Sequence, residues 1–117
     1  MAASKYNLSI EAGATFRLKM VWKDATGVPV DLTGCSAKLQ VRKKVSDITE
    51  IVTITSPDSI ILGAAGAIEI VIRDDVTSTL VDGVYDMEIT HPAVGLERPD
   101  VTRLLYGSVT VSKNVTR

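Results

Sequence analysis

Residues 14–23 read ATFRLKMVWK, and the order of side chains in this stretch decides the fold. Phe16, Leu18, Met20 and Trp22 stand at alternate positions, with Arg17 and Lys19 between them. A pleated strand turns successive side chains to opposite faces, so this spacing gathers the apolar set on one face and the cations on the other. The stretch predicts a half-buried β-strand.

The same alternation recurs outward from it. In SAKLQVRKK, Ala37, Leu39 and Val41 point inward, and Lys38, Gln40 and Arg42 point outward. GAIEIVIRD repeats it through Ile68, Ile70 and Ile72 against Glu69, and VYDMEIT through Tyr85, Met87 and Ile89 against Asp86 and Glu88. Weaker strand patterns lie in YNLSI, EIVTITS, SIIL and the closing LLYGSVTVS, where Gly107, Val109 and Val111 alternate with Ser108 and Thr110. Turn residues separate these runs: Asp24, Gly27, Pro29, Asp31 and Gly34 in one connection, Pro57 and Asp58 in another.

Seven or eight short strands with turn signals about every 8 to 12 residues predict an all-β, immunoglobulin-like sandwich of antiparallel strands. One segment departs from the pattern. RDDVTSTLVDG offers Asp74 or Asp75 as an N-cap, then Val76 and Leu80 four residues apart, then Gly83 as a stop. It predicts a short helical turn near Asp75–Leu80 that bridges the two sheets. The whole of 1–117 is read as one domain, with residues 1–5 and 113–117 expected to be mobile.

Composition agrees with this reading. At 117 residues the chain suits a single core, and folding removes roughly two thirds of the unfolded surface from water. Hydrophobic residues at 45% and charged residues at 23% argue against disorder. A net charge of −1 creates no field that would draw the protein onto nucleic acid or an anionic membrane. The opening MAASKYNLSI lacks the apolar run of a secretory signal, so a cytoplasmic site of synthesis without a signal peptide is expected. Mean hydropathy of +0.21 suggests that some apolar surface is covered by a partner.

Few residues suggest chemistry. Cys35 is the only cysteine, so it has no partner for a disulfide within the chain and no thiol pair for zinc. His91, the only histidine, sits in THPAVG and is read as a solvent-exposed turn residue; no nucleophile context adjoins it or Cys35. Asp74 and Asp75 fit a helix start rather than an acid–base pair. Glu88, Glu97 and Asp100 match no calcium-loop spacing. The glycines of ILGAAGAIE lack a phosphate-loop pattern and predict a hairpin turn. No catalytic residue, metal site or cofactor is expected.

Surface residues are more informative. Arg17, Lys19, Lys23 and Lys38, with the VRKKV cluster, form one basic outer face if their two strands are neighbours. Aromatic residues at 4% leave no stacking platform for single-stranded nucleic acid. Trp22 and Tyr85 are expected to anchor the core, and Tyr106, of opposite parity to Val109, to lie outside it. Candidate interface residues are therefore Arg17, Lys19, Lys38, Arg42, His91, Glu97, Arg98 and Tyr106.

Three stretches together carry a family resemblance: IEAGATFRLKMVWKDATGVPVDLTGCSAKLQVRKK, GAIEIVIRDDVTSTLVDGVYDMEITHP and VTRLLYGSVTVSKNVTR. They resemble the small β-sandwich structural proteins of tailed bacteriophages and prophages, akin to the N-terminal domain of baseplate upper proteins and to collar proteins. The likeness runs from about Ile10 to Arg117, and the longer HPAVGLERPD loop departs from it. It implies a non-enzymatic virion protein of the tail, baseplate or neck and collar, bound to other virion proteins in a symmetric multi-copy assembly. Capsid decoration is the alternative position, and a host-surface carbohydrate-binding module the alternative class.

Overall fold

The computed structural model describes residues 4–92 and 100–113. Among them the backbone forms β1 (Ser4–Lys5), β2 (Leu8–Glu11), β3 (Phe16–Val21), β4 (Ser36–Arg42), β5 (Val52–Thr55), β6 (Ile60–Leu62), β7 (Ala67–Ile72), α1 (Asp74–Thr77), β8 (Gly83–His91) and β9 (Asp100–Ser112). Two sheets face each other: a six-stranded one in the order β1-β9-β8-β4-β5, with β2 also on β9, and a three-stranded one in the order β3-β7-β6. This is the all-β sandwich that the alternation predicts.

The first two strands are pieces of one edge strand. Both run parallel to β9 in an unbroken register, Ser4 beside Leu105 and Leu8 beside Val109. Ser4 and Lys5, in the segment expected to be mobile, thus align with Leu105 and Tyr106. At the interruption the Tyr6 N–H donates to the Tyr106 carbonyl (2.8 Å), and the Asn7 side-chain carbonyl accepts from the Ser108 N–H (3.1 Å). The Tyr85 hydroxyl donates to the Tyr6 carbonyl from within the sandwich, which satisfies the polar end of this buried ring.

Alternation sorts the core. Leu39 and Val41 of β4, Ile68, Ile70 and Ile72 of β7, Met87 and Ile89 of β8, and Val109 of β9 are each at most 1% exposed. Burying one such side chain contributes about 1.5–3 kcal/mol, and the facing sheets bury them against each other. The inward residues of β3 are only half-buried, because β3 is an edge strand with a neighbour on one side. Trp22 follows β3 and packs at the rim of the core, and its main-chain N–H donates to the Gly66 carbonyl (2.8 Å). Gly66 closes the predicted β6–β7 hairpin at φ +74°, and a Cβ there would overlap the Trp22 carbonyl.

The helical turn α1 carries the chain from β7 of the small sheet to β8 of the large one, as expected. Its cap differs from the expectation: Arg73 occupies the N-cap position, and Asp74 and Asp75 fill the first turn. Negative charge there faces the unpaired N–H groups of the turn, and the Arg73 guanidinium lies 2.9 Å from the Asp75 carboxylate. Thr77 is fully buried; its hydroxyl donates to the Ala14 carbonyl (2.8 Å) and accepts from the Gly13 N–H (3.1 Å).

Candidate interaction face

Outward-facing side chains of the large sheet fall into rows set by strand register. Lys38, Glu88 and Arg103 share one row across β4, β8 and β9; Gln40, Asp86 and Tyr106 share the next; Arg42, Val84 and Ser108 share a third. The β8–β9 register shifts between Met87 and Glu88. That irregularity explains why Arg103 and Tyr106, an odd number of residues apart, both face outward while Leu104 and Leu105 are both buried.

These side chains are ordered by one another. The Arg103 Nε lies 3.8 Å from the Asp86 carboxylate, and its guanidinium carbon stands 4.7 Å from the centre of the Tyr106 ring. A cation over a phenol ring is worth about 0.5–1 kcal/mol at an exposed site. The Arg42 guanidinium donates to the carbonyls of Asp47 (2.8 Å) and Ile48 (2.5 Å) and to Gln40 Oε1 (2.9 Å). It thereby pins the loop of residues 43–51, which holds Val45 and Ile48 out in solvent at 85% and 94% exposure.

Between that loop, the Arg103–Tyr106 pair and the edge residues Lys5 and Asn7 lies an open groove of about 410 Å³. Glu88 stands in register between Lys38 and Arg103. Among the described residues it is ion-paired with neither. Tyr85 underlies the groove; its phenol is pushed up to about 12 by burial and, less, by the neighbouring Tyr6.

The other candidate residues are dispersed. Arg17 and Lys19 lie on β3, in the sheet opposite Lys38 and Arg42, so the single basic face does not form. Alternation within a strand carries no information about its neighbour, and β3 pairs with β7 instead. Lys19 sits 4.0 Å from Glu69, its register partner. His91 is not an exposed turn residue: it ends β8 opposite Asp100, is half-buried, and meets Trp22 edge-on with ring centres 5.8 Å apart. Glu97 and Arg98 lie outside the described residues.

Cys35 is a half-buried thiol whose pKa is raised by burial and then by Asp31, which favours the unreactive protonated form. Among the described residues no three His, Cys, Asp or Glu side chains converge as metal ligands would. The outer surface of the small sheet carries an apolar hollow of about 420 Å³ beside the half-exposed Val21 and Ile61. Sequence reasoning overlooked Arg103 as a member of the site. Its position three residues before Tyr106 reads as inward under strict alternation, and only the extra residue that β9 carries at Leu104 reverses that.

Two packed sheets, a parallel edge strand on β9 and a helical turn between sheets define an immunoglobulin-like β-sandwich. Among solved structures the chain is similar to the natural killer cell receptor NKp44, at TM-score 0.50 and 15% identity, over 96% of this chain and 100% of that one. It is similar also to Tim-1, at TM-score 0.48 and 12% identity over 99% of both chains. Extracellular domains of the voltage-gated sodium channel β4 subunit match at TM-score 0.42 and 12% identity over 96% of each. No protein-family model and no curated protein sequence matches the chain.

In immunoglobulin lettering, β9-β8-β4-β5 follows the order G-F-C-C′ and β3-β7-β6 the order B-E-D. Antibody domains join strands B and F by a disulfide, with a tyrosine two residues before the second cysteine. Here neither β3 nor β8 carries a cysteine, and Met87, two residues after Tyr85 on β8, is fully buried.

Proposed function

We propose that this chain is a non-enzymatic structural or accessory protein of a tailed-bacteriophage virion, in the tail, baseplate or neck and collar. It binds other virion proteins through the outward face of the six-stranded sheet. One observation carries the binding role: the Arg103–Tyr106–Asp86 cluster is held in place beside a loop that presents Val45 and Ile48 to solvent. A prearranged aromatic and arginine beside exposed aliphatics is the composition that protein interfaces favour at their centres. The virion setting is supported by the likeness of the three quoted stretches to phage sandwich proteins. Synthesis in the host cytoplasm, and partners that are neither nucleic acid nor membrane, belong to the same reading.

The test is mass spectrometry of purified particles from the phage or induced prophage that encodes the chain. The protein is expected among the virion components at a copy number that is a multiple of the particle's axial symmetry. Its consistent absence would overturn the virion role. A Tyr106→Ala, Arg103→Ala double variant that folds normally is expected to be missing from particles into which the parent chain is incorporated.

A further inference from the structure

Which partner fits the face follows from its rows of charge. Across β4, β8 and β9 one row reads Lys38, Glu88, Arg103, positive, negative, positive. Arg103 is engaged with Asp86 and Tyr106, whereas Lys38 and Glu88 carry no ion pair among the described residues. Two opposite charges in adjacent register positions are therefore both available to a second molecule.

We propose that this molecule is a second copy of the chain, packed face to face about a two-fold axis that runs along the strands between β4 and β8; this inference rests on the interaction face proposed above. Rotation about an axis lying in the interface plane lays each β4 residue over the same row of the partner's β8. Lys38 then meets the partner's Glu88, and Glu88 meets the partner's Lys38, so one contact type is made twice. In the next row Gln40 meets the partner's Asp86, an amide N–H against a carboxylate, and Tyr106 meets the partner's Thr53. An axis between β8 and β9 would also oppose unlike charges, but it would demand Arg103, which Asp86 and Tyr106 already hold.

Size sets the strength. Five strands abreast at about 4.8 Å spacing, taken over the seven-residue span of the central strand β4 at about 3.4 Å per residue, cover about 600 Å² per copy. The total of about 1,200 Å² stands at the lower end of specific interfaces, so the dimer is weak and concentration-dependent. In a symmetric particle the same contact is strengthened by the other contacts that hold each copy.

The experiment is sedimentation equilibrium of the full chain from about 10 µM to about 1 mM, with circular dichroism to verify folding. The parent chain is expected to dimerise in this range. Lys38→Glu and Glu88→Lys are each expected to weaken the dimer at least about tenfold, because each sets like charges together twice. An equimolar mixture of the two single variants is expected to recover association, since one copy then carries only acids at these positions and the other only lysines. Charge effects confined within one chain would not produce that recovery. A parent chain that is monomeric throughout, or a dimer unmoved by either variant, overturns the proposal. A monomer present in virions would leave the virion reading standing, and a dimer absent from them would leave the pairing standing.

Discussion

Gly107 stands directly across from Tyr85 in the pairing of β8 with β9, and the tyrosine hydroxyl passes it to reach the main-chain carbonyl of Tyr6. Large and empty positions are matched here for a reason. The chain at Tyr6 and Asn7 comes so close to Gly107 that any side chain on the glycine would collide with it.

Gly107→Ala is the direct probe of that closeness. The added Cβ would lie 2.5 Å from the Tyr6 carbonyl oxygen and 2.8 Å from Asn7 Oδ1, well inside contact distance. We expect a loss of about 1–3 kcal/mol in chemical denaturation, of the size seen when a methyl group is forced into a filled site. Hydrogen exchange at the Tyr6 N–H, which bonds to the Tyr106 carbonyl, should accelerate more than exchange in β4 or β7. Unchanged exchange there would disprove the tight fit.

Tyr85 also gives an alkaline signature. Its phenol ionises at about 12 in the folded chain against an ordinary value of 10, because burial disfavours the anion. A group whose pKa is raised by folding stabilises the native state fully below the unfolded pKa. That contribution fades as pH climbs from 10 to 12. Ultraviolet titration of phenolate absorbance should show a late step near pH 12 that Tyr85→Phe removes.

Thr77 links α1 to the chain entering β3 through the Ala14 carbonyl and the Gly13 N–H. Thr77→Val keeps the shape and deletes these bonds together with the hydroxyl's contact to the Asp74 carbonyl, leaving the Ala14 carbonyl and the Gly13 N–H short of partners. A cost of about 1–3 kcal/mol is expected, read as a lower urea midpoint with unchanged slope. Thr77→Ser, which keeps the hydroxyl, should lose less.

At low pH the connection between β3 and β4 should loosen first. The Thr26 hydroxyl, then the Val28 N–H, hold the Asp24 carboxyl below its ordinary value of 3.8, and the Thr33 hydroxyl and N–H do the same for Asp31. Both bond sets are complete above pH 3.8 and vanish as pH falls below it through the lowered values. Amide proton shifts of Thr26 and Thr33 followed by NMR should move with those carboxyl titrations. If they move independently, the turns are held by something else.

Arg42 predicts a protease phenotype. Its guanidinium fork is the clasp on the loop of residues 43–51, and Lys43 and Lys44 lie inside that loop. Arg42→Ala should hasten tryptic cleavage after Lys43 or Lys44 at a temperature where the sandwich stays folded, as mass spectrometry of early digests would reveal. Arg42→Lys should protect only partly, because an ammonium lacks the planar fork.

The two-layer architecture was legible in the sequence because β4, β7 and β8 are regular strands whose inward residues are almost all aliphatic. The hairpin at Gly66 and the turn at Asp74–Thr77 were legible from local chemistry as well. Which strands become neighbours was not, since pairing between distant segments leaves no mark on the periodicity of either; the basic face imagined across β3 and β4 failed for that reason. The interaction face was half legible. Arg42 and Tyr106 follow from parity, but Arg103 joins them only through the extra residue at Leu104 of β9, which no single residue advertises.

The parallel seating of the first strands on the last one has a bearing on synthesis. The Asn7–Ser108 bond spans 101 positions, so β9 must leave the ribosome before the amino-terminal edge has anything to lie against. Until then β1 and β2 wait as an unpaired template in the nascent polypeptide. Such long-range closure places this domain among slow folders, and it makes the interval between translation and docking the time when chaperones would matter most.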